Sequence, residues 1–266
     1  RLPVALSNAP PTSMLSGKVP MKVLRRNYAV VIPSMNGADP MNTSSAPWSS
    51  LPIHVIDFEG SSRTGVVEFG VATLLGGEVV SASTSLHASR VPVPAIDTQC
   101  HGLAAKDLKG LPSFESEWDR WVSLRRTGLL AAHNATVESG LLRGTWLRPS
   151  AVPSFVGEEA SVAEWGPWID TCRLARAWAP TLGDFRLSSL VSVLRLAPRL
   201  YALAAEHCPP NRRRYHCALY DALAAALVLR ALCGLEGRSA APLSQLVRDS
   251  VSAPAADDLM QGELGL

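Results

Sequence analysis

Hydrophobic positions fall into two patterns along this chain. Between residues 52 and 86 they form short apolar runs. Residues 53–56 read as a buried central strand, and Gly65–Leu75 and Glu78–Leu86 flank a Gly76-Gly77 dipeptide. That pair predicts a hairpin, since consecutive glycines supply the backbone freedom a tight turn needs. Pro92 and Pro94 then break the pattern. Further along, helical spacing predicts helices over residues 113–125, 137–146, 169–178, 186–195 and 218–232. Ser113 is the expected N-cap of the first, with acids at Glu115 and Glu117 in its opening turn. A short apolar run, Leu129–Ala132, predicts another buried strand. Strands followed by helices alternating with short strands describe a mixed α/β layer fold.

The flanks lack such a period. Residues 1–50 are rich in Pro, Ser and Asn and read as a flexible extension; residues 236–266 return to Ser, Ala, Pro and Gly and read as a loose tail. One domain is therefore expected over residues 51–235. Composition changes this picture little. Apolar residues make up 47% and charged ones 18%, enough for a substantial core, and the formal charge of +2 means that any nucleic-acid-binding surface must be local. Five cysteines without a Cys-x-x-Cys pair argue against a disulfide framework and for the cytoplasm. No apolar run approaches the roughly 20 residues that span a bilayer, so no membrane is expected as a partner. The basic residues Lys18, Lys22, Arg25 and Arg26 are not followed by the long apolar segment of a secretory leader.

Three strings carry candidate chemistry. In VIDFEGS (residues 55–61), strand alternation puts Asp57 and Glu59 on one face. Two carboxylates so close repel unless protons or a hard cation neutralise them. In LAAHNATVE (residues 130–138), a buried strand ends in His133 and Asn134, and a helix presents Glu138 in its first turn. Asn134 can cap that helix through its side chain, and His133 reads as a structural residue bonding across the turn. In YHCALYD (residues 215–221), Asp221 lies in an otherwise apolar helix, where an unpartnered acid is costly, and His216 precedes it by five positions. Each string alone also has a bland account as solvated acids or helix-dipole partners.

In order, the three strings resemble the DnaQ-like (DEDDh) 3′→5′ exonuclease superfamily, over roughly residues 52–235. That family shows an acid-x-Glu strand, an H-N-A-x-x-acid turn and His-x4-Asp on its last helix. Residues 100–103 (CHGL), 169–171 (IDT) and 186–190 (RLSSL) resemble further family segments. Glu138 departs from the usual Asp, a longer side chain that bears on metal geometry, and Val137 replaces the usual aromatic.

The resemblance implies an RNase H-like fold, a five-stranded mixed sheet flanked by helices. It implies two divalent ions, Mg²⁺ or Mn²⁺, held by Asp57, Glu59, Glu138 and Asp221, with His216 as general base for hydrolysis of the terminal phosphodiester and release of nucleoside 5′-monophosphates. The expected substrate is nucleic acid with a free 3′ end, single-stranded or frayed, bound near Phe58, Gly60, Ser61, His101, Asn134 and Arg214. A polymerase or a second copy of the chain is a candidate partner. The competing reading is a non-catalytic nucleic-acid-binding scaffold on the same fold, for which the acids would be dispensable.

Two other readings carry less. Arg212, Arg213 and Arg214 precede His216 and are either phosphate contacts or a solvated loop. His207-Cys208 and His216-Cys217 do not have zinc-ligand spacing, and Trp146, Trp165 and Trp168 are expected to pack rather than to stack on bases.

Overall fold

The computed structural model of this chain describes residues 40–157 and 159–251. After two 3-10 turns, Pro40–Ser45 and Trp48–Ser50, come three strands, β1 (Ile53–Ser61), β2 (Gly65–Leu75) and β3 (Glu78–Leu86). Two short helices follow, α1 (Ala95–His101) and α2 (Ala105–Leu108), then a 3-10 turn, Phe114–Glu117, leading into α3 (Trp118–Thr127). Strand β4 (Leu129–Ala132) runs into α4 (Thr136–Thr145), and a two-residue ladder joins β5 (Val152–Pro153) to β6 (Ser161–Val162). The last part comprises β7 (Trp168–Asp170), α5 (Thr171–Trp178), α6 (Leu187–Val193), α7 (Ala197–His207), α8 (Ala218–Cys233) and α9 (Leu243–Asp249).

Five strands form one mixed sheet in the order β3-β2-β1-β4-β7. Strand β1 is antiparallel to β2 and parallel to β4, which in turn is parallel to β7. Helix α8 covers one face. Every residue from Ala218 to Leu229 is buried, because the helix lies between the sheet and the outer helices α5, α6 and α7. A helix so placed must be apolar all round, and Asp221 is its only acid. The other face carries α3, α4 and an aromatic cluster in which Phe58, Phe69, Phe114 and Trp121 meet edge-on or tilted. Trp165 is almost fully buried and donates from Nε1 to the Trp146 carbonyl at 2.8 Å, the packing role expected of it.

Gly70 sets how closely α8 approaches. A Cβ at this position would lie 2.3 Å from the backbone of Ala218 and Leu219. No side chain fits there, so the first turn of α8 rests directly on β2. The register makes this matter for chemistry, since Gly70 is the cross-strand partner of Asp57.

Strands β1 to β4 fall where the sequence pattern puts them, with β1 continuing beyond the expected run to Ser61; the β5–β6 ladder was not foreseen. Residues 169–178, read as one helix, instead divide at Thr171: residues 168–170 complete the sheet. Helices α1, α2, α7 and α9 were not foreseen. Helix α7 carries Leu200, Leu203 and Ala204 on its buried side, an i, i+3, i+4 pattern behind a Pro in its first turn.

Both loose flanks need correction within the described residues. Trp48 is buried, its Nε1 donates to the Ser239 carbonyl at 3.1 Å, and its backbone N–H donates to Ala241 at 3.0 Å. Leu243 N–H donates to the Ala46 carbonyl at 3.0 Å, and Leu243 and Leu246 of α9 are fully buried. The segments 40–50 and 236–251 thus bind each other and the domain. Their composition hid this because each contributes only one or two anchoring side chains, with no period to detect. Residues 1–39 and 252–266 lie outside the described part. No helix among the described residues is long and apolar enough to cross a membrane.

Candidate active site

Strand alternation puts Asp57 and Glu59 on the α8 face of the sheet. Phe58 points the other way and packs its ring edge-on against Trp121 and Phe114, with centroids at 5.1 and 5.5 Å. The Phe58 side chain is therefore a core residue, which leaves its backbone for any contact at the site. After Glu59 the ladder shifts register, and Gly60 has φ +132°; a Cβ there would meet the Gly65 carbonyl at 2.2 Å. The hairpin itself therefore requires this glycine. Ser61 and Thr64 close the same turn. The Ser61 N–H donates to Thr64 Oγ1 at 2.9 Å, and the Thr64 N–H donates to Ser61 Oγ at 3.1 Å.

Helix α8 brings in the second group. His216 sits in the loop before it with φ +61°, a left-handed conformation that costs a non-glycine residue energy. Its N–H donates to Asp221 Oδ2 at 2.8 Å, which offsets that cost and fixes the loop to the helix. The imidazole is exposed and has no hydrogen-bond partner among the described residues. Glu59, His216 and Asp221 can each offer one ligand atom such that all lie within 4.8 Å of one another, the only such group among the described residues.

Asp57 feels the charges of this group's acids and of Glu138. Burial, and then the neighbouring charges of Asp221, Glu59, Glu138 and Glu68, push the Asp57 carboxyl well above its usual range. Burial and the charges of Asp221 and Glu68 raise Glu59 to about 8, with Glu138 adding to the effect. Burial raises Asp221 to about 7, although the bond from His216 works against it. Glu138, in the first turn of α4 and 4% exposed, is raised to about 8 by burial. Two of these carboxylate oxygens, Asp221 Oδ1 and Glu138 Oε2, are buried with no hydrogen-bond partner. Buried orphan oxygens among mutually repelling carboxylates are an acceptor set for hard cations.

The remaining expected residues divide. The His133 ring is fully engaged, with Nδ1 at 2.8 Å from Thr171 Oγ1 and Nε2 at 3.0 Å from the Phe185 carbonyl, the structural role foreseen for it. Asn134 has φ +70° and an exposed side chain that makes no cap bond to α4. Asp170 instead holds the turn before α4, its carboxylate accepting from the N–H groups of Asn134 and Ala135, and caps α5 by accepting from Cys172 and Arg173. One acid on β7 thus caps α5 and secures the turn into α4, and the end of α9 supports it: Ser250 Oγ accepts the Asp170 N–H at 2.9 Å.

His101 is buried at the end of α1. Its Nδ1 accepts the Leu103 N–H at 3.1 Å, and burial followed by the nearby Arg212 charge lowers its pKa. It is a turn residue of α1, with Nε2 left without a partner.

The arginine run separates residue by residue. Arg212 is buried and forks onto Glu68, its Nε 3.1 Å from Oε1 and Nη2 paired with Oε2. Arg213 and Arg214 are both exposed: Arg213 donates to the Cys208 and Ala205 carbonyls at the end of α7, and Arg214 Nη1 makes longer contacts with the Cys100 and Tyr215 carbonyls at 3.4 and 3.5 Å. Glu68 and Asp170 were not singled out from the sequence. Glu68 had a signal: one acid inside the otherwise uncharged run Gly65–Leu75 implies a buried partner.

No family model matches the sequence, and no curated protein does. Solved structures do. The chain is similar to exonuclease X in complex with 5′-overhanging duplex DNA, at 20% identity and a TM-score of 0.52, over 73% of this chain and 99% of that one. It is also similar to a 3′-exonuclease in a structure of 3′-end-specific recognition of a histone mRNA stem-loop. That match has 13% identity and a TM-score of 0.53, over 74% of this chain and 67% of that one. The architecture is therefore the RNase H-like fold of those exonucleases: a mixed five-stranded sheet flanked by helices. At such identities the likeness is one of fold, and the chemistry rests on the residues described above.

Proposed function

We propose that this chain is a DnaQ-like 3′→5′ exonuclease that hydrolyses the terminal phosphodiester of DNA or RNA with the help of divalent cations. The observation that carries the reading is the meeting of Glu59, His216 and Asp221 within 4.8 Å, beside Asp57 and a buried Glu138 with an orphan oxygen. The donor set fits the group: four carboxylates offer hard oxygens of the kind Mg²⁺ and Mn²⁺ prefer. Asp57, Glu59 and Asp221 would hold the cations most directly, and Glu138, the deeper and longer acid, would act from behind them. Two bound cations would neutralise the carboxylates and stabilise negative charge on the phosphate and the leaving 3′ oxygen.

The chain's own residues do the rest. His216 takes a proton from the attacking water, since its ring is exposed and uncommitted. The Asp221 carboxylate holds the His216 backbone and so the position of that ring. Gly60, Ser61 and the Phe58 backbone form one edge of the site for the 3′-terminal nucleotide, and His101 stands behind it. Exposed Asn134 and Arg214 are available at the rim for the strand's sugar or phosphates. Five free cysteines favour a reducing compartment such as the cytoplasm. A polymerase or a second copy of the chain remains a proposed partner.

The test is metal-dependent shortening of a 5′-labelled oligonucleotide, offered as DNA and as RNA with a free 3′ end. Shortening in Mg²⁺ or Mn²⁺ that disappears in EDTA and in Asp57→Ala supports the reading. Clean, folded wild-type protein that shortens neither substrate ends it.

A further inference from the structure

Glu68 and Arg212 form a buried pair that none of the proposed chemistry uses. Their side chains are only 3% and 8% exposed. Glu68 is the cross-strand partner of Glu59, so the pair lies directly beside the acidic cluster. The arginine presents two donors to the two carboxylate oxygens, a fork that fixes orientation as well as charge. Each partner has one further commitment. Arg212 Nη1 donates to the His101 carbonyl at the end of α1. Glu68 Oε2 accepts the Ala218 N–H, one of the unpaired donors in the first turn of α8, at 3.2 Å. Four segments therefore meet at one ion pair: β2, α1, the loop after α7 and the start of α8.

The loop that this pair clamps is short and holds His216. Arg213 fastens its near end to α7 through Cys208 and Ala205, and Arg212 fastens its middle to the sheet. His216 then adopts its left-handed backbone four residues on. Beyond the clamp, the loop is held from outside by Arg213 on α7, by a longer contact of Arg214 Nη1 with the Cys100 carbonyl at 3.4 Å, and by the bond from the His216 N–H to Asp221; of these, only the last acts on His216 itself.

Resting on the exonuclease reading, we propose that Arg212 and Glu68 are positioning residues: their buried fork holds the 213–217 loop so that the His216 imidazole stays over Glu59 and Asp221. A buried ion pair is a poor source of net stability. Replacing both members by apolar residues of similar volume is often neutral, whereas removing one member strands a buried charge. This separates positioning from folding.

The test is the double variant Glu68→Met/Arg212→Met. Its Tm is expected within a few degrees of wild type, above that of Arg212→Met alone. Its kcat on the labelled oligonucleotide is expected to fall by roughly 100-fold, the scale of a displacement of about 1 Å at a reacting group, with KM unchanged. The His216 amide proton, followed by NMR without metal, is expected to exchange faster. Arg212→Lys retains the charge and loses the fork; it is expected to give an intermediate loss by the same two readouts, and it decides the matter should the double variant not fold. A folded double variant, or Arg212→Lys, with kcat within about twofold of wild type and unchanged His216 exchange would overturn the proposal. Should wild type prove inactive on every substrate, the exonuclease reading fails by itself, and His216 exchange alone then decides whether the clamp positions the loop.

Discussion

Two helix starts in this molecule have the same local grammar and opposite fates. At the start of α4, His133 precedes Glu138 by five residues; at the start of α8, His216 precedes Asp221 by five. Each contains a non-glycine residue with positive φ, Asn134 at +70° and His216 at +61°. In the first, both ring nitrogens of the histidine are spent on Thr171 and Phe185, and an acid from another strand, Asp170, takes up the free N–H groups. In the second, the helix's own acid receives the His216 N–H, and the ring is left exposed beside Glu59. A histidine is free for chemistry when something else satisfies the turn that carries it. Sequence spacing is silent on which turn that will be.

The largest expected effect comes from exchanging the two histidines' fates. His216→Gln should reduce oligonucleotide shortening by roughly 10²- to 10⁴-fold, the usual worth of a general base, with Tm unchanged. His133→Gln should do the reverse: a lower Tm, from loss of at least one of two part-buried bonds worth about 1 kcal/mol each, and a much smaller loss of rate at temperatures where it stays folded. Equal losses of activity in the two folded variants would erase the distinction.

A second expectation concerns the acids. Glu59, Glu138 and Asp221 are raised to about 8, 8 and 7, chiefly by burial, so the folded protein without metal holds protons that the unfolded chain releases near pH 4 to 5. An acid whose folded pKa is raised contributes stability at low pH, and that contribution is lost as pH rises through the folded value. Melting in EDTA should therefore show Tm falling by several degrees between pH 5 and pH 8. Mn²⁺ at pH 8 should recover it, because a ligand bound only by the folded state stabilises it. A flat Tm profile with no response to Mn²⁺ would mean that the four carboxylates do not share one site.

The smallest effect sharpens the comparison at the backbone. Asn134→Gly should raise stability slightly, by a few tenths of a kcal/mol, because glycine adopts φ +70° without penalty and the Asn side chain makes no cap bond. Thermal or urea melting measures it. A clear loss of stability would mean that the Asn134 side chain does hold the turn.

Much of the fold was legible because it rests on local pattern. The runs Gly65–Leu75 and Leu129–Ala132 and the apolar stretch of α8 announce themselves, and alternation alone put Asp57 and Glu59 on one face. Helix α7 went unread: the proline in its first turn disguised its start, although its buried residues keep helical spacing. The flanking segments were not, since Trp48 and Leu243 are single anchors whose partners lie about 190 residues away in the chain. Within the site, the sequence by itself determined which residue types were present, at what spacing, and that an acid in an apolar helix needed a reason to be there.

Tertiary structure alone decided their assignments. It turned Arg212 inward onto Glu68 and left Arg214 outside, gave the turn before α4 to Asp170 rather than to the Asn134 side chain, and let α8 touch the sheet at Gly70 so that Asp221 could reach the strand acids. The physical reason is that periodicity records which side of an element is apolar. Which carboxylate is paired, which is orphaned and which ring is free depend on contacts between distant segments, and these exist only once the chain has closed around them.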